Sequence, residues 1–215
     1  MQRRINPGEM ETMTSERKAE VLASAIMVFA EHGVEAVQLS DIARDAGASL
    51  ASLEREFGSK EALFRAAVRE IAGGQVLRAC SEPPPGPAAE QLRNFCGRCW
   101  EILRTPSYAA LHRLWVTEVP RDPDLARFYA EEVYGTVHGM LERIIEQGIV
   151  AGQFRPVVPR VAARLMMAAL TEQAFWCNHA DAFGPAVGGG CNRVVAETLS
   201  ILLGGLRPYR QDSPS

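Results

Sequence analysis

The apolar residues of this chain recur every three or four positions, and no segment shows the strict alternation typical of a half-buried strand. This pattern predicts an all-α fold. The predicted helices cover 15–32, two short segments within 38–57, then 60–80, 88–104, 107–118, 123–149, 157–180 and 190–205. The clearest buried stripes lie in the first helix (Val21, Leu22, Ala25, Ile26, Phe29) and in the helix from Lys60 (Leu63, Phe64, Ala67, Val68, Ile71).

Two of these helices are short and are separated by a single glycine, Gly47. Glycine adopts left-handed backbone angles without steric cost, so Gly47 is suited to a sharp turn. Ser49 follows it and is a typical N-cap for the second helix. This arrangement is the helix-turn-helix pattern, which needs a third helix to pack against. The first short helix is predicted to bury Leu39, Ile42, Ala43 and Ala46; the second is predicted to bury Leu50, Leu53 and Phe57 and to expose Ser52, Arg55 and Glu56.

Extended to Arg17–Val68, this region resembles the DNA-binding domain of the TetR family of bacterial transcriptional regulators. Order and spacing match over roughly 50 residues, which makes the resemblance more specific than a bare helix-turn-helix. The matching residues are Val21, Leu22, Ala25, Phe29 to Gly33, Asp41 to Ala43, Ala46 to Ser49, Leu53, and Phe57 to Phe64. A looser resemblance to the C-terminal domain of a TetR subgroup covers Leu111–Leu170, through a Glu-Val-Pro, an Asp-Pro, a long helix and a Gly-Gln-Phe-Arg-Pro segment.

The resemblance implies a homodimer in which a small N-terminal domain binds operator DNA and a C-terminal helical bundle binds a ligand and forms the dimer. It also implies that the second short helix enters the major groove. The matching positions predict a set of DNA-binding residues: Gln38, Ser40, Ser49, Ser52, Arg55 and Lys60. The predicted division is a flexible arm at 1–14, the helix-turn-helix domain at 15–60, a connecting helix at 61–80, the ligand-binding and dimerisation domain at 81–206 and a tail at 207–215.

Two positions depart from the family pattern. Glu54 and Glu56 stand where relatives usually have a tyrosine and, two residues later, a histidine. Residues 1–60 are also acidic, with 7 Lys and Arg against 10 Asp and Glu, a net charge of −3. A carboxylate close to a phosphate opposes binding. Three interpretations remain open: Glu54 pairs with Arg55 or another base, a glutamate reads a cytosine amino group, or DNA binding is weak.

The composition of the chain restricts its possible partners, location and cofactors. The 215-residue chain carries a net charge of −3, so no overall basic field indicates a nucleic-acid partner. Its N-terminus lacks the apolar core of a signal peptide, and five cysteines form an odd set, which favours a reducing, cytoplasmic location without membrane association. Cys96 and Cys99 permit a redox switch, but on a helix they are more typical of core packing, which is also expected of Cys80, Cys177 and Cys191. No ligand set suggests a metal or cofactor.

The inner helices of the C-terminal half are rich in aromatic residues and methionine, as small-molecule pockets often are. The predicted ligand pocket comprises Trp100, Tyr108, His112, Trp115, Phe128, Met140 and Met166, although each could instead be an ordinary core residue. The last two helices are apolar on more than one side, which indicates a symmetric partner. The predicted dimer interface comprises Leu165, Ala169, Phe175, Val195, Leu199 and Leu202.

These observations predict a cytoplasmic, homodimeric, TetR-like repressor that a small apolar effector releases from DNA. No Ser/His/Asp arrangement, phosphate loop or paired inner carboxylates favours the competing class, a helical enzyme. A second alternative is a dimeric ligand or redox sensor with weakened or lost DNA binding, which Glu54 and Glu56 motivate.

Overall fold

A computed structural model describes residues 13–74, 86–184 and 190–208, and within these ranges every regular element is helical. None of the described helices is long and apolar enough to cross a membrane. The helices are α1 (Ser15–His32), α2 (Leu39–Asp45), α3 (Leu50–Phe57), α4 (Lys60–Arg69), α5 (Ala88–Leu103), α6 (Pro106–Glu118), α7 (Pro123–Phe128), α8 (Gly135–Val150), α9 (Pro159–Asn178), α10 (Ala180–Phe183) and α11 (Cys191–Leu206). A π-helical turn, π1 (Glu70–Gly74), continues α4, a second, π2 (Tyr129–Tyr134), joins α7 to α8, and a 3-10 turn at Val119–Arg121 follows α6.

The all-α prediction is thus confirmed, and so are the helix starts that local chemistry indicated. Thr14 caps α1 by accepting a hydrogen bond from the Arg17 amide (3.2 Å). Ser49 caps α3 through the Ser52 amide (3.1 Å), and Ser59 caps α4 through the Ala62 amide (3.1 Å). The predicted arm at 1–14, the end of the predicted connecting helix with Cys80, and the predicted tail at 207–215 lie wholly or mainly outside the described residues.

The apolar side chains form two cores. The first combines α1 to α4 and π1, and its buried residues include all of the stripe residues predicted for α1 and α4. The second core is built from α5, α8, α9 and α11. Helix α6 packs directly against α1, so Ala110, Leu111 and Leu114 lie in the first core although they belong to the C-terminal half of the sequence. The cores therefore do not divide at the predicted domain boundary near residue 80.

The turn after α8 is hydrogen-bonded to the start of α5 and to the end of α11, and so joins three helices of the second core. The Gln153 side chain accepts a hydrogen bond from the Ala88 amide at the start of α5 (2.6 Å). Arg155 donates its backbone amide to Leu206 (2.9 Å) and its Nε to Gly205 (2.6 Å), both at the end of α11. The ring of Phe154 is buried against Gly148. These contacts give the Gly-Gln-Phe-Arg segment a structural role.

The prediction for the cysteines needs one correction, which also removes them as an argument for a reducing location. Cys177 at the end of α9 and Cys191 at the start of α11 form a disulfide, with Cα atoms 6.1 Å apart. The sequence did not indicate this pairing, because the two cysteines lie at the ends of different helices, 14 residues apart. Cys96 and Cys99, by contrast, are buried thiols in the second core, as expected for small apolar residues on one helix face.

Candidate nucleic-acid interface and ligand cavity

Helix α1 holds the helix-turn-helix in place through polar contacts. The guanidinium of Arg17 donates to the carbonyl oxygens of Ala46 (2.5 Å) and Gly47 (2.9 Å), where α2 ends. Ser24 donates to the carboxylate of Asp45 (2.6 Å). Gly47 has φ +59°, the left-handed conformation that the sequence predicted for this turn. The turn is therefore fixed both by its own glycine and by side chains of α1, which sets the angle between α2 and α3.

The outward face of α3 differs from the prediction at Leu50, at Glu56 and at Ser52, which is half-buried rather than exposed. Leu50, predicted to be buried, is the first residue of the helix and is 41% exposed. Glu56, predicted to face outward, points back toward α1, and its side chain is only 16% exposed. The solvent-facing surface consists of Leu50, Ala51, Glu54 and Arg55, which lie on one side of the helix.

Glu56 forms an ion pair with Lys18 of α1, with 2.6 Å between Oε1 and Nζ. The same ammonium lies 5.4 Å from the centroid of the Phe57 ring. A carboxylate neutralised in this way would contribute little to repulsion at the predicted DNA-binding surface. Of the two acidic departures from the family pattern, Glu54 alone stays on the exposed side of α3.

The six predicted DNA-binding residues divide into two groups. Gln38, Ser40 and Arg55 present exposed side chains. The hydroxyls of Ser49 and Ser52 lie 2.7 Å apart and share a hydrogen bond, while the Lys60 ammonium donates to the carbonyls of Val34 (2.9 Å) and Glu35 (3.0 Å). The contacts of this second group stabilise the cap of α3 and the turn after α1.

A cavity of about 330 Å³ lies at the junction of the two cores. Tyr108 packs against both cores and lines it. Both π-helical turns contribute to the wall, through Ala72 of π1 and through Tyr129 and Tyr134 of π2. The remaining lining residues are Cys99, Ile102, Leu103, Leu111, His112, Trp115, Val137, His138, Arg164, Met167, Ala168 and Thr171. Because π1 continues α4, this cavity borders the element that leads to the helix-turn-helix.

Of the predicted pocket residues, Tyr108, His112 and Trp115 line this cavity, whereas Trp100, Phe128, Met140 and Met166 do not. Trp100 and Met166 are buried in the second core, and Met140 packs against it. Phe128 lies in the first core, with the guanidinium groups of Arg65 and Arg69 of α4 at 5.2 and 5.0 Å from its ring centroid. Asn178, near the end of α9, does not line the cavity, and its side-chain amide donates to the Leu103 carbonyl (2.9 Å).

The sequence did not indicate four polar residues that also line the cavity: Tyr134, His138, Arg164 and Thr171. A partial signal existed, since Tyr134 and His138 are four residues apart on the long helix and therefore share a face. Their rings stack with centroids 3.6 Å apart. His138 Nδ1 lies 3.0 Å from the Tyr134 carbonyl, and since a carbonyl only accepts, Nδ1 carries the proton and the Nε2 of the neutral ring is an acceptor.

Burial shifts the titration of several cavity residues. It raises the pKa of the Tyr108 phenol to about 12, against the effect of a hydrogen bond with Thr171. It also raises the pKa of Tyr129 well above its usual range. Burial lowers the pKa of His112, with a further contribution from nearby His179. It lowers that of His138 as well, which the carbonyl hydrogen bond partly opposes. The cavity thus favours uncharged imidazoles and phenols.

We expect the free energy of unfolding to fall as the pH drops below the ordinary histidine value of 6.5. The folded chain has lowered pKa values for His112 and His138, whereas the unfolded chain has the ordinary value. At a pH between the two, the unfolded chain binds more protons than the folded one, so stability decreases as pH falls. Charged neighbours also act on these pKa values: Glu172 on that of His112, and Glu142 and Arg164 on that of His138. Thermal unfolding measured from about pH 7.5 to about pH 5.5 tests the expectation.

The double variant that carries both His112→Gln and His138→Gln should flatten this pH dependence. His32→Gln, which removes an exposed histidine at the end of α1, is the control. An equal slope in the wild type and the double variant would contradict the assignment.

An apolar surface on α9 and α11 faces solvent in the single chain. Leu165 is 58% exposed and Ile201 72% exposed, and a groove of about 420 Å³ between the two helices includes both. Of the other predicted interface residues, Val195 and Leu199 are buried within the same chain, and Ala169, Phe175 and Leu202 are partly buried. The exposed apolar set instead adds Val158, Val161 and Val194 to Leu165 and Ile201.

Among the described residues, no group of His, Cys, Asp or Glu side chains could hold a metal ion.

Comparison with known proteins matches both halves of the chain. Residues 21–67 match the family described as bacterial regulatory proteins, tetR family, and residues 90–204 match the AefR-like transcriptional repressor C-terminal domain. The uncharacterised HTH-type transcriptional regulator YezE of Bacillus subtilis (strain 168) is 30% identical over 141 residues, which cover 62% of this chain and 72% of that protein.

Two solved structures share the fold. The fatty acid degradation regulator FadR of Bacillus halodurans has a TM-score of 0.72 at 23% identity, covering 87% of this chain and 98% of that one. FadR of Bacillus subtilis, solved in complex with stearoyl-CoA, has a TM-score of 0.66 at 20% identity, with the same coverage of 87% and 98%.

Proposed function

The chain belongs to the TetR family of DNA-binding bacterial transcriptional regulators, and from that premise we propose that it is a cytoplasmic, homodimeric repressor that a small apolar effector releases from its operator. The observation that carries the proposal is the position of the cavity, between the core that holds the helix-turn-helix and the core of the C-terminal bundle. A ligand at this junction contacts elements of both halves at once.

The proposed DNA-reading surface is the exposed side of α3 together with the start of α2. Arg55 on α3 and Gln38 and Ser40 at the start of α2 supply exposed polar side chains for base edges or phosphates. The ion pair between Glu56 and Lys18 supports retained binding, because it removes one of the two acidic side chains from this surface. Ser49, Ser52 and Lys60 would act by holding α3 and the turn after α1 in position.

The proposed dimer forms through the exposed apolar surface of α9 and α11. Leu165 and Ile201 leave large apolar side chains in water, and a symmetric copy would cover them. Pairing through these helices would hold two recognition helices at a fixed separation, about 34 Å or a multiple of it, as two operator half-sites require.

Release from DNA is proposed to occur by a population shift. The effector changes the equilibrium only by its differential affinity for two conformers. The wall of the cavity contains π1, the continuation of α4, and π2, which begins directly after Phe128. Because Arg65 and Arg69 of α4 both lie against Phe128, a displacement of π2 by a ligand would be transmitted to α4 and from there to the helix-turn-helix. The stearoyl-CoA complex of the Bacillus subtilis relative supports the view that this fold can accept a largely apolar ligand.

The test is fluorescence anisotropy with DNA that flanks the gene, and then with duplexes selected from a random pool, each against a scrambled duplex over a series of salt concentrations. We expect sequence-dependent binding with a steep dependence on salt. Glu54→Gln should raise the affinity by roughly fivefold, because repulsion between two unit charges a few ångströms apart in water is about 1 kcal/mol. Glu56→Gln is the matched control: it should change affinity less and lower thermal stability instead, since Lys18 loses its partner.

Failure to select any sequence with either the wild type or Glu54→Gln would overturn the DNA-binding proposal. It would favour the alternative function, a dimeric ligand or redox sensor, for which the exposed carboxylate of Glu54 is the specific observation.

A further inference from the structure

The charge of the cavity wall restricts the chemistry of its ligand. Among the described residues that line the cavity there is no aspartate, glutamate or lysine, and Arg164 is the one permanently ionised side chain. Tyr108, Tyr129, His112 and His138 are all held toward their uncharged forms by burial. The wall is therefore apolar and aromatic, with one fixed positive charge.

Arg164 lies on α9 and is exposed, so its guanidinium is at the mouth of the cavity rather than in its interior. Met167, Ala168 and Thr171 follow it at intervals of three, four and seven residues and line the same cavity, so all four side chains share one face of α9. Within the described part of the chain, Arg164 takes part in none of the ion pairs. No carboxylate is among the described residues that line the cavity, and Glu142 and Glu172, whose charges act on His138 and His112, lie outside that lining. The guanidinium of Arg164 is therefore available to a ligand.

A guanidinium binds a carboxylate through two parallel hydrogen bonds, and such charge-assisted bonds are stronger than neutral ones. The interior offers aromatic surface for the rest of the ligand, since Trp115 and Tyr129 pack with ring centroids 3.7 Å apart and the stacked pair of Tyr134 and His138 forms another part of the wall. A cationic ligand would meet Arg164 without a compensating lining carboxylate, and a neutral one would leave Arg164 unused.

We propose that the effector is an apolar monoanion, with an apolar body in the aromatic cavity and a carboxylate bound by Arg164 at the mouth. This inference rests on the proposed function and deepens it by naming the effector class. The volume of about 330 Å³ is at the lower end of the range of small-molecule sites, which favours a medium-length chain or a single ring system over a larger ligand.

The test measures binding of octanoate, octanol and octylamine to the full chain by isothermal titration calorimetry at about pH 7.5. These probes share one apolar body and differ in the head group. Octanoate should bind roughly tenfold to a hundredfold more tightly than octanol, as expected for a hydrogen-bonded charge pair, and octylamine should bind most weakly. Arg164→Gln should abolish the preference for octanoate, and Arg164→Glu should transfer it to octylamine.

Arg160→Gln is the matched control, since Arg160 is an exposed arginine one turn earlier on α9 that does not line the cavity. It should retain the preference for octanoate. Equal binding of octanoate and octanol by the wild type, an undiminished preference in Arg164→Gln, or binding of none of the three probes would each overturn the proposal. A cooperative thermal transition in each variant shows that it is folded.

The outcome is separable from that of the proposed function. Octanoate binding to a chain that selects no DNA sequence would support the ligand class and reject the repressor. Selective DNA binding by a chain that does not distinguish octanoate from octanol would do the reverse.

Discussion

Replacing Gly148 by alanine should lower the free energy of unfolding by about 1–3 kcal/mol or more, the typical cost of adding a methyl group to a packed core. Gly148 is buried near the end of α8, and a Cβ built there would overlap the buried Phe154 ring and lie 2.8 Å from the Cβ of Ala88. Neither neighbour can withdraw easily, because Phe154 follows Gln153 in the turn whose hydrogen bonds join α5, α8 and α11. Urea unfolding of the two proteins measures the difference.

Gly97 and Gly139 provide matched controls. Both lie inside helices, α5 and α8, and a Cβ added to either meets nothing within 4 Å. Alanine is favoured over glycine in a helix by roughly 1 kcal/mol, so Gly97→Ala and Gly139→Ala should be neutral or stabilising. A Gly148→Ala protein as stable as these controls would show that the turn after α8 adapts, against the packing described above.

Removing the disulfide should have an effect of similar size. Cys177 and Cys191 are 14 residues apart in sequence, and a cross-link that closes a loop of about 15 residues is worth about 3 kcal/mol in the chain-entropy model. The Cys177→Ser, Cys191→Ser double variant should therefore unfold at a lower urea concentration than the oxidised wild type. The bond joins the end of α9 to the start of α11, the two helices proposed to form the dimer.

Reductant supplies the control. Reduced wild type should behave like the double variant, and the double variant should not respond to reductant. If oxidised and reduced wild type unfold at the same urea concentration, the disulfide does not contribute to stability. Cys96 and Cys99 stay in place in every protein of this comparison, so their core packing does not enter the difference.

Prediction from sequence succeeded where short-range chemistry decides. The buried stripe of α1, the N-cap at Ser49 and the left-handed Gly47 all depend on residues within one or two helical turns. It was less successful for α3. In a helix of eight residues both Leu50 and Glu56 are compatible with either face, and contact with Lys18, which lies 38 residues earlier, places Glu56 inward.

The ligand cavity shows the same limit. Tyr108, His112 and Trp115 could be chosen from composition because all three lie on one aromatic helix, α6. Trp100, Phe128, Met140 and Met166 have the same composition but pack in or against a core. Arg164 could not be selected from the sequence, because its proposed role depends on which residues line the same cavity, and the described lining includes no carboxylate.

The sequence by itself therefore determined the family, the all-α class and most helix limits, since periodicity and capping act between residues close in the chain. The tertiary structure alone decided which polar groups remain available. It pairs Glu56 with Lys18, directs Lys60 to two backbone carbonyls, bonds Cys177 to Cys191 and leaves Arg164 at the mouth of an apolar cavity. Each of these four features depends on contacts between segments that are distant in sequence, and a local pattern of apolar and polar residues does not indicate such contacts.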